Sequence, residues 1–415
     1  MKKLTMIMCV VAMGALLPAC SNDDKPKIID GIIIPPTSDK ITLSRAEESV
    51  NDNINAFAFN FLNAAAAKYD EAFENTADGN MAVSPLSASM VLALTANAGN
   101  DELTESISKA LGFDDVATLN SACNKLLRFL PNRKDGNELV LANSVWYDQS
   151  GTAKAEFVKN MNETFYAEVN SVDMHDGSTC YLIDKWCSTK TNGIIPSIMD
   201  ELSGSNIILA NAMYFNGKWE EEFKKSDTKY EDFHGTASTS TVRMMHASRT
   251  GYYYDLANAE AASIPFKGSY EMIFMLPKDG TTADELSKTL SFNEWKNKKE
   301  YETSIKLSVP SFEMETSANI TKALEYLGVD FSYSSLDKMG FGINGALFAI
   351  QKTSTKVDES GATVAAVSAV GEYWAYDGAN NASLVLDRPF LYFLRNTVTG
   401  SILIAGRINN LPNAY

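Results

Sequence analysis

The chain has 415 residues, with 36 Lys and Arg against 52 Asp and Glu, a formal net charge of −16. That balance excludes non-specific binding to nucleic acid, which needs clustered cations to displace counterions from phosphates. An apolar share of 45% is that of a globular protein, and the length suffices for one large domain or two medium ones.

Lys2 and Lys3 precede an apolar run, Leu4 to Leu17, which is too short to span a bilayer as a mature helix and reads as a targeting segment. It ends in Leu17-Pro18-Ala19-Cys20, which resembles a bacterial lipobox, so Cys20 is expected to become the lipidated first residue of the mature protein. Ser21-Asn22-Asp23-Asp24 resembles the acidic export tag of surface lipoproteins in Bacteroidetes-type bacteria. The expected location is the outer membrane, on its outer face, with the periplasmic face as the alternative. Residues 20–47 are polar and carry Pro26, Pro35 and Pro36, the composition of a flexible tether.

From residue 48 onward the pattern is compact and shows no repeat or composition break, so a single domain over 48–415 is expected after a signal peptide at 1–19. Helical spacing predicts helices over 56–69, 86–97, 154–164, 179–191 and 318–327. Ser84-Pro85 supplies a cap and first turn to the second of these. Runs of β-branched and aromatic residues predict strands over 139–147, 207–215, 272–276, 305–309, 346–353 and 401–408. The class is α+β.

Motifs for catalysis are missing. The three histidines, His175, His234 and His246, do not share metal-ligand spacing with another His or Cys, and no nucleophile elbow or phosphate loop occurs. No metal or cofactor is expected. A Ser-His-Asp triad from distant positions stays open on sequence alone and ranks last among the readings. Cys9 leaves with the signal. Cys123, Cys180 and Cys187 form no disulfide framework, since two helical turns hold the last pair about 10 Å apart.

One stretch reads as a contradiction. Ser360 to Gly371 carries no charge and no proline, like a strand covered on both faces, yet it runs into Tyr373, Trp374 and Tyr376 and then a Gly/Asn-rich segment typical of an exposed loop. Its small side chains alternate: Ala362, Val364, Ala366, Ser368 and Val370 on one face, Thr363, Ala365, Val367 and Ala369 on the other.

A collinear set of segments explains it. "NMAVSPLS" from Asn80, "IILANAMYFNGKWEEEF" from Ile207, "VRMMHASRTGYYYD", "EMIFMLPKDG", "VPSFEMETSANITKALEYLGV", and the pair "DRPFLYFLR" and "TGSILIAGR" near the C-terminus together resemble the serpins. The resemblance implies about three β-sheets, eight to nine surrounding helices and an exposed reactive-centre loop at about 359–386. It also implies a function: irreversible suicide inhibition of serine endopeptidases, in which the loop is cleaved and inserts into the main sheet with the acylated enzyme attached.

Under the resemblance, Glu359, Ser360, Gly361, Ala362, Thr363, Val364, Ala365 and Ala366 form the loop hinge. Ser84, Ser87 and Asn211 match the shutter beneath the sheet, and Trp219 and Phe223 match packing at its upper end. Counting from Glu359 puts the reactive bond at Ala375-Tyr376; counting back from Pro389 gives Gly378, and Tyr373 and Trp374 are further alternatives. The absence of Lys and Arg between Lys356 and Arg388 points away from trypsin-like targets and toward elastase-, chymotrypsin- or subtilisin-like ones. Papain-like cysteine proteases are secondary candidates. The protein is expected to be a monomer that binds its target covalently and the membrane through lipid. Two departures stand out: Val364, Val367 and Val370 are bulky for a hinge, and Gln351 replaces a histidine common in the family. The competing reading is a non-inhibitory serpin acting as a surface binding module.

Overall fold

The computed structural model describes residues 26–29, 32–73, 78–131, 137–198, 206–331, 336–340, 349–362 and 381–414. In chain order the elements begin with β1 (Lys27–Ile29), β2 (Ile32–Ile34), α1 (Arg45–Ala67), α2 (Tyr69–Ala72), β3 (Met81–Val83), α3 (Pro85–Ala98), α4 (Asp101–Leu111) and α5 (Val116–Phe129). There follow β4 (Glu138–Asp148), α6 (Ala155–Thr164), β5 (Glu168–Val172), α7 (Ser178–Lys190), β6 (Ile207–Lys218), β7 (Lys229–His234), β8 (Thr239–Asp255), β9 (Ala259–Pro265) and β10 (Tyr270–Pro277). The last part holds α8 (Ala283–Thr289), α9 (Phe292–Lys296), β11 (Lys299–Pro310), β12 (Phe312–Asn319), α10 (Thr321–Tyr326), β13 (Ile350–Val357), β14 (Gly361–Ala362), β15 (Asn381–Val385), β16 (Phe390–Asn396) and β17 (Ile402–Ile408).

Two large sheets result. One is six-stranded, in the order β12-β13-β14-β6-β4-β5. The other runs β15-β11-β8-β9-β10-β16-β17-β3, with β7 on the flank of β8. β8 is 17 residues long and pairs with β7 along its first third and with β9 at its end, so two of the three expected sheets join into one. All eight residues of β10 are buried, which is why its sequence is a continuous apolar run rather than an alternating one. Helix α3 is apolar all round because it is buried between the sheets, against β6 of one and β17 of the other.

The core helix α1 starts where a capping box forms. The Ser44 amide donates to Glu47 Oε2 at 2.6 Å, and the Glu47 amide returns to Ser44 Oγ at 3.4 Å. Its buried stripe runs through Val50, Ile54, Phe57 and Phe61.

Three expectations need correction. The strand expected at 346–353 is observed four residues later, as β13, and 341–348 lie outside the described residues. Ala318 and Asn319, expected in a helix, are the last two residues of β12, Ala318 lying opposite Gln351, and the helix spans only Thr321–Tyr326, stopping before Gly328 at φ 88°. Within the expected tether, β1 and β2 form a hairpin, Ile33 is buried in the main core, and the Ser38 amide donates to Arg128 O at 2.8 Å. Ile33 finds its core by packing on the domain.

Candidate functional site

The site is built where β13 turns back into the sheet. After Val357 the chain makes a tight bend, in which the Asp358 amide donates to Gly361 O at 3.0 Å and the Ser360 amide to Asp358 Oδ1 at 2.8 Å. Gly361 and Ala362 then enter as β14, antiparallel to β13 through Val357–Ala362 and antiparallel to β6 through Lys218–Gly361 and Gly217–Ala362. The approach is close enough to require glycine: a Cβ on Gly361 would collide with the Gly217 carbonyl. Ala362 is buried. Beyond it, among the described residues, no ladder joins β13 directly to β6.

The turn after β6 holds the bend from the other side. The Trp219 amide donates to Ser360 O at 3.1 Å, the Phe223 amide to Glu359 O at 2.9 Å, and Trp219 Nε1 to Asp358 O at 2.9 Å. Trp219 is fully buried and stacks on Phe266 at 4.3 Å between centroids, with Phe223 at its edge. Glu359 is only 4% exposed, and its carboxylate accepts from Arg243 Nη2 at 2.5 Å and Thr228 Oγ1 at 2.9 Å. Sequence reasoning found Glu359 but missed Arg243, on β8, and Thr228, just before β7, both far away along the chain.

Below the hinge, Ser84, Ser87 and Asn211 line one seam. Ser84 Oγ donates to Ser87 Oγ at 2.8 Å and touches Met213 Sδ. Gln351 is buried and bonds both backbone groups of Ser84, its Oε1 accepting from the amide at 2.6 Å and its Nε2 donating to the carbonyl at 2.8 Å. The side-chain amide thus satisfies a donor and an acceptor that no unprotonated ring nitrogen could satisfy alone. Asn211 Nδ2 donates to Asn143 Oδ1 at 2.7 Å, while Asn211 Oδ1 is buried without a partner among the described residues. Ser84, Ser87, Asn211, Gln351 and Ala362 all line one narrow cavity of about 30 Å³ along the seam between β6 and β13. That volume suits a water molecule.

Thr363, Val364, Ala365 and Ala366 of the expected hinge, and Tyr373, Trp374, Ala375, Tyr376 and Gly378 around the expected reactive bond, lie outside the described residues, as does Cys20. The chain resumes at β15, parallel to β11 from Asn381–Ser304 to Val385–Ser308. Residues 363–380 therefore connect one large sheet to the other.

The remaining chemistry is sparse. His246 bridges Glu231, at 3.1 Å from Nε2, and Ser308, at 3.0 Å from Nδ1. The three residues sit inside neighbouring strands β7, β8 and β11, and the Ser308 carbonyl is held by the Leu386 amide, so the arrangement is a cross-strand rung in a sheet rather than a nucleophile presented to a cleft. Cys123, Cys180 and Cys187 form no disulfide among the described residues. Burial pushes the Cys123 and Cys187 thiols up to about 12, which leaves them unreactive.

A two-residue strand seated between β13 and β6, in a six-stranded sheet beside a second large one, defines a class of mixed helix-and-sheet fold. Comparison with known proteins gives the class its family: residues 52–411 match the family model Serpin (serine protease inhibitor), and the chain belongs to that family. It is 28% identical to human Serpin B3 over 371 residues, 81% of this chain and 95% of the relative. It is likewise 28% identical to the leukocyte elastase inhibitor A of Mus musculus over 358 residues, 81% of this chain and 94% of that one. Among solved structures, the thermophilic serpin tengpin in its native state superposes with a TM-score of 0.78 at 25% identity, over 93% of this chain and 100% of tengpin. Human kallistatin, at 23% identity and a TM-score of 0.76, shares the fold.

Proposed function

We propose that this protein is an irreversible inhibitor of serine endopeptidases that works by inserting its cleaved loop between β13 and β6. The observation that carries this reading is β14. Two residues of the loop base already pair with both strands, and the residues that follow, Thr363 to Gly371, are small or β-branched and uncharged. Continued in the same register, Val364 would come opposite Phe215 and Thr355, Ala366 opposite Met213 and Thr353, and Ser368 opposite Asn211 and Gln351. Those partners on β6 and β13 face the core, and Ser368 would bring a hydroxyl to the level of the unmet Asn211 carbonyl oxygen. Glu359, Ser360, Gly361 and Ala362 act as the fixed end of the hinge, and Thr363 to Ala366 enter first.

The reactive bond is Ala375-Tyr376, with Tyr373, Trp374 and Gly378 as neighbouring choices. An alanine at the cleaved position suits an elastase-like pocket, and the similarity to leukocyte elastase inhibitors supports the same target class. Cys20 anchors the protein by lipid to the outer membrane, facing outward. The second reading, a non-inhibitory binding module, is favoured by one feature only: Val364 would have to pack against Phe215, a larger fit than the alanines around it require.

The test is direct. The chain lacking its first twenty residues is mixed with pancreatic elastase, chymotrypsin and subtilisin, and the products are run on denaturing gels. A covalent complex, with a released C-terminal fragment beginning at Tyr376, supports inhibition and the position of the bond. Cleavage without a complex by every enzyme favours the binding module.

A further inference from the structure

We propose that Asp148, Asp173 and His175 form a binding site for one divalent transition-metal ion of the Zn²⁺ or Co²⁺ type. The site is remote from the hinge, and it stands whether or not the protein inhibits proteases.

The fold creates the site by pairing two parallel strands. β4 ends at Asp148, which lies opposite Val172, the last residue of β5, so Asp173 emerges beside Asp148 at the same edge of the sheet. His175 follows two residues later, in the bend before α7. Its Nδ1 lies 3.5 Å from Asp148 Oδ2 and 3.8 Å from Asp173 Oδ1, and the three ligand atoms are all within 4.8 Å of one another. An ion bonded at about 2.1 Å spaces tetrahedral ligands about 3.4 Å apart and opposite octahedral ligands about 4.2 Å apart. The two spacings from His175, 3.5 and 3.8 Å, fall within that range.

A second observation concerns charge. The Asp148 side chain is 8% exposed, yet among the described residues neither Asp148 nor Asp173 has a Lys or Arg within ion-pair distance. Buried charges are ordinarily paired or bound to metal. Asp148 is held instead by two backbone amides, from Ser150 to Oδ1 at 2.9 Å and from Met174 to Oδ2 at 3.0 Å. The Ser150 side chain also bonds this carboxylate, and Oδ2, the oxygen nearest His175, keeps a second lone pair for a ligand. Asp173 also fixes the next element, because Thr179 Oγ1 in the first turn of α7 donates to its carbonyl at 2.7 Å.

The donor set decides the metal class. One imidazole and two carboxylates suit Zn²⁺ and its first-row neighbours, whereas Ca²⁺ needs six or more oxygens. With three protein ligands, water completes the shell. The His175 side chain is 80% exposed and can adjust onto an ion against the fixed Asp148 wall. A bound ion would tie the edge of the six-stranded sheet to the start of α7, whose Ile183, Trp186 and Cys187 pack over Ile208, Ala210 and Ala212 of β6.

The experiment is calorimetric titration of the full chain with Zn²⁺, repeated with Co²⁺ to read the visible absorption of a bound ion. The expected result is one ion per chain. His175→Ala and Asp173→Ala should each weaken binding at least tenfold, and His246→Ala and Cys180→Ser should leave it unchanged. Zn²⁺ should also raise the unfolding temperature of the wild type but not of the His175→Ala chain. Absence of stoichiometric binding up to about 1 mM Zn²⁺, a total excess over any tight site, would overturn the proposal. So would wild-type affinity in both ligand variants, or a loss that follows His246 or Cys180 instead.

Discussion

Ala362→Arg should convert the protein from an inhibitor into a substrate. Ala362 is 5% exposed, sits between Gly217 and Val357, and shares its cavity with Gln351 and the Ser84 pair. A guanidinium buried there would lack a partner, at a cost of several kcal/mol, so β14 should leave the sheet in the intact variant and have to re-enter it with the charge when the loop inserts. If about 3 kcal/mol of that falls on the barrier to insertion, insertion slows by about two powers of ten, at 1.36 kcal/mol per tenfold. Deacylation of the protease is unaffected, so a partition near one complex per encounter drops to about one per hundred. The assay is densitometry of the covalent band after reaction with elastase at equal concentrations. Loop cleavage should stay as fast as in the wild type, which shows that the loop is still recognised. A complex yield within twofold of wild type would refute the reasoning, since the hinge would then not have to enter the sheet.

Gln351→Ala should lower stability by about 2–4 kcal/mol, because it strips partners from the buried amide and carbonyl of Ser84; a thermal melt checks this, and an unchanged midpoint would mean that water replaces the amide. Glu47 gives a pH signature. Burial pushes its carboxyl up, but the bonds from Lys125, Ser121 and Ser44 outweigh this and lower it from 4.5 to about 2. A depressed folded value means stability that is fully present above about pH 4.5 and lost as the pH falls toward 2. Glu47→Gln should therefore cost on the order of 2 kcal/mol at pH 7 and flatten the acid limb of the stability curve below pH 4.5. Cys20→Ser should release the protein from the membrane fraction, and retention of the variant there would contradict the lipid anchor.

What was legible in the sequence follows the physics of each element. β4, β6 and β10 announce themselves because their inward faces are apolar. β13 does not, because its inward residues are Gln351, Thr353 and Thr355, which serve hydrogen bonds to Ser84 and Ala82 and accept one from Tyr392. A polar inward face erases the alternation that marks a strand, and the expected boundary slipped toward the N-terminus. The amphipathic helix α4 carries an Asn100 cap and a left-handed Gly112 stop, both of them start and stop signals legible in the sequence. Ser84, Ser87 and Asn211 were found through family resemblance, and the structure gathers them at one seam. Arg243 beside Glu359, and Asp148 beside His175, depend on which strands become neighbours, and no local pattern encodes that.

The central claim is that the cleaved loop becomes a strand of the six-stranded sheet. The measurement that tests it most directly is the thermal unfolding of the chain before and after a single cut within residues 363–380. Insertion adds a strand buried on both faces, worth many kcal/mol, so the cut chain should melt tens of degrees higher than the intact one. A cut chain that melts at the same temperature or lower would contradict the account, because the loop would then have no place in the sheet.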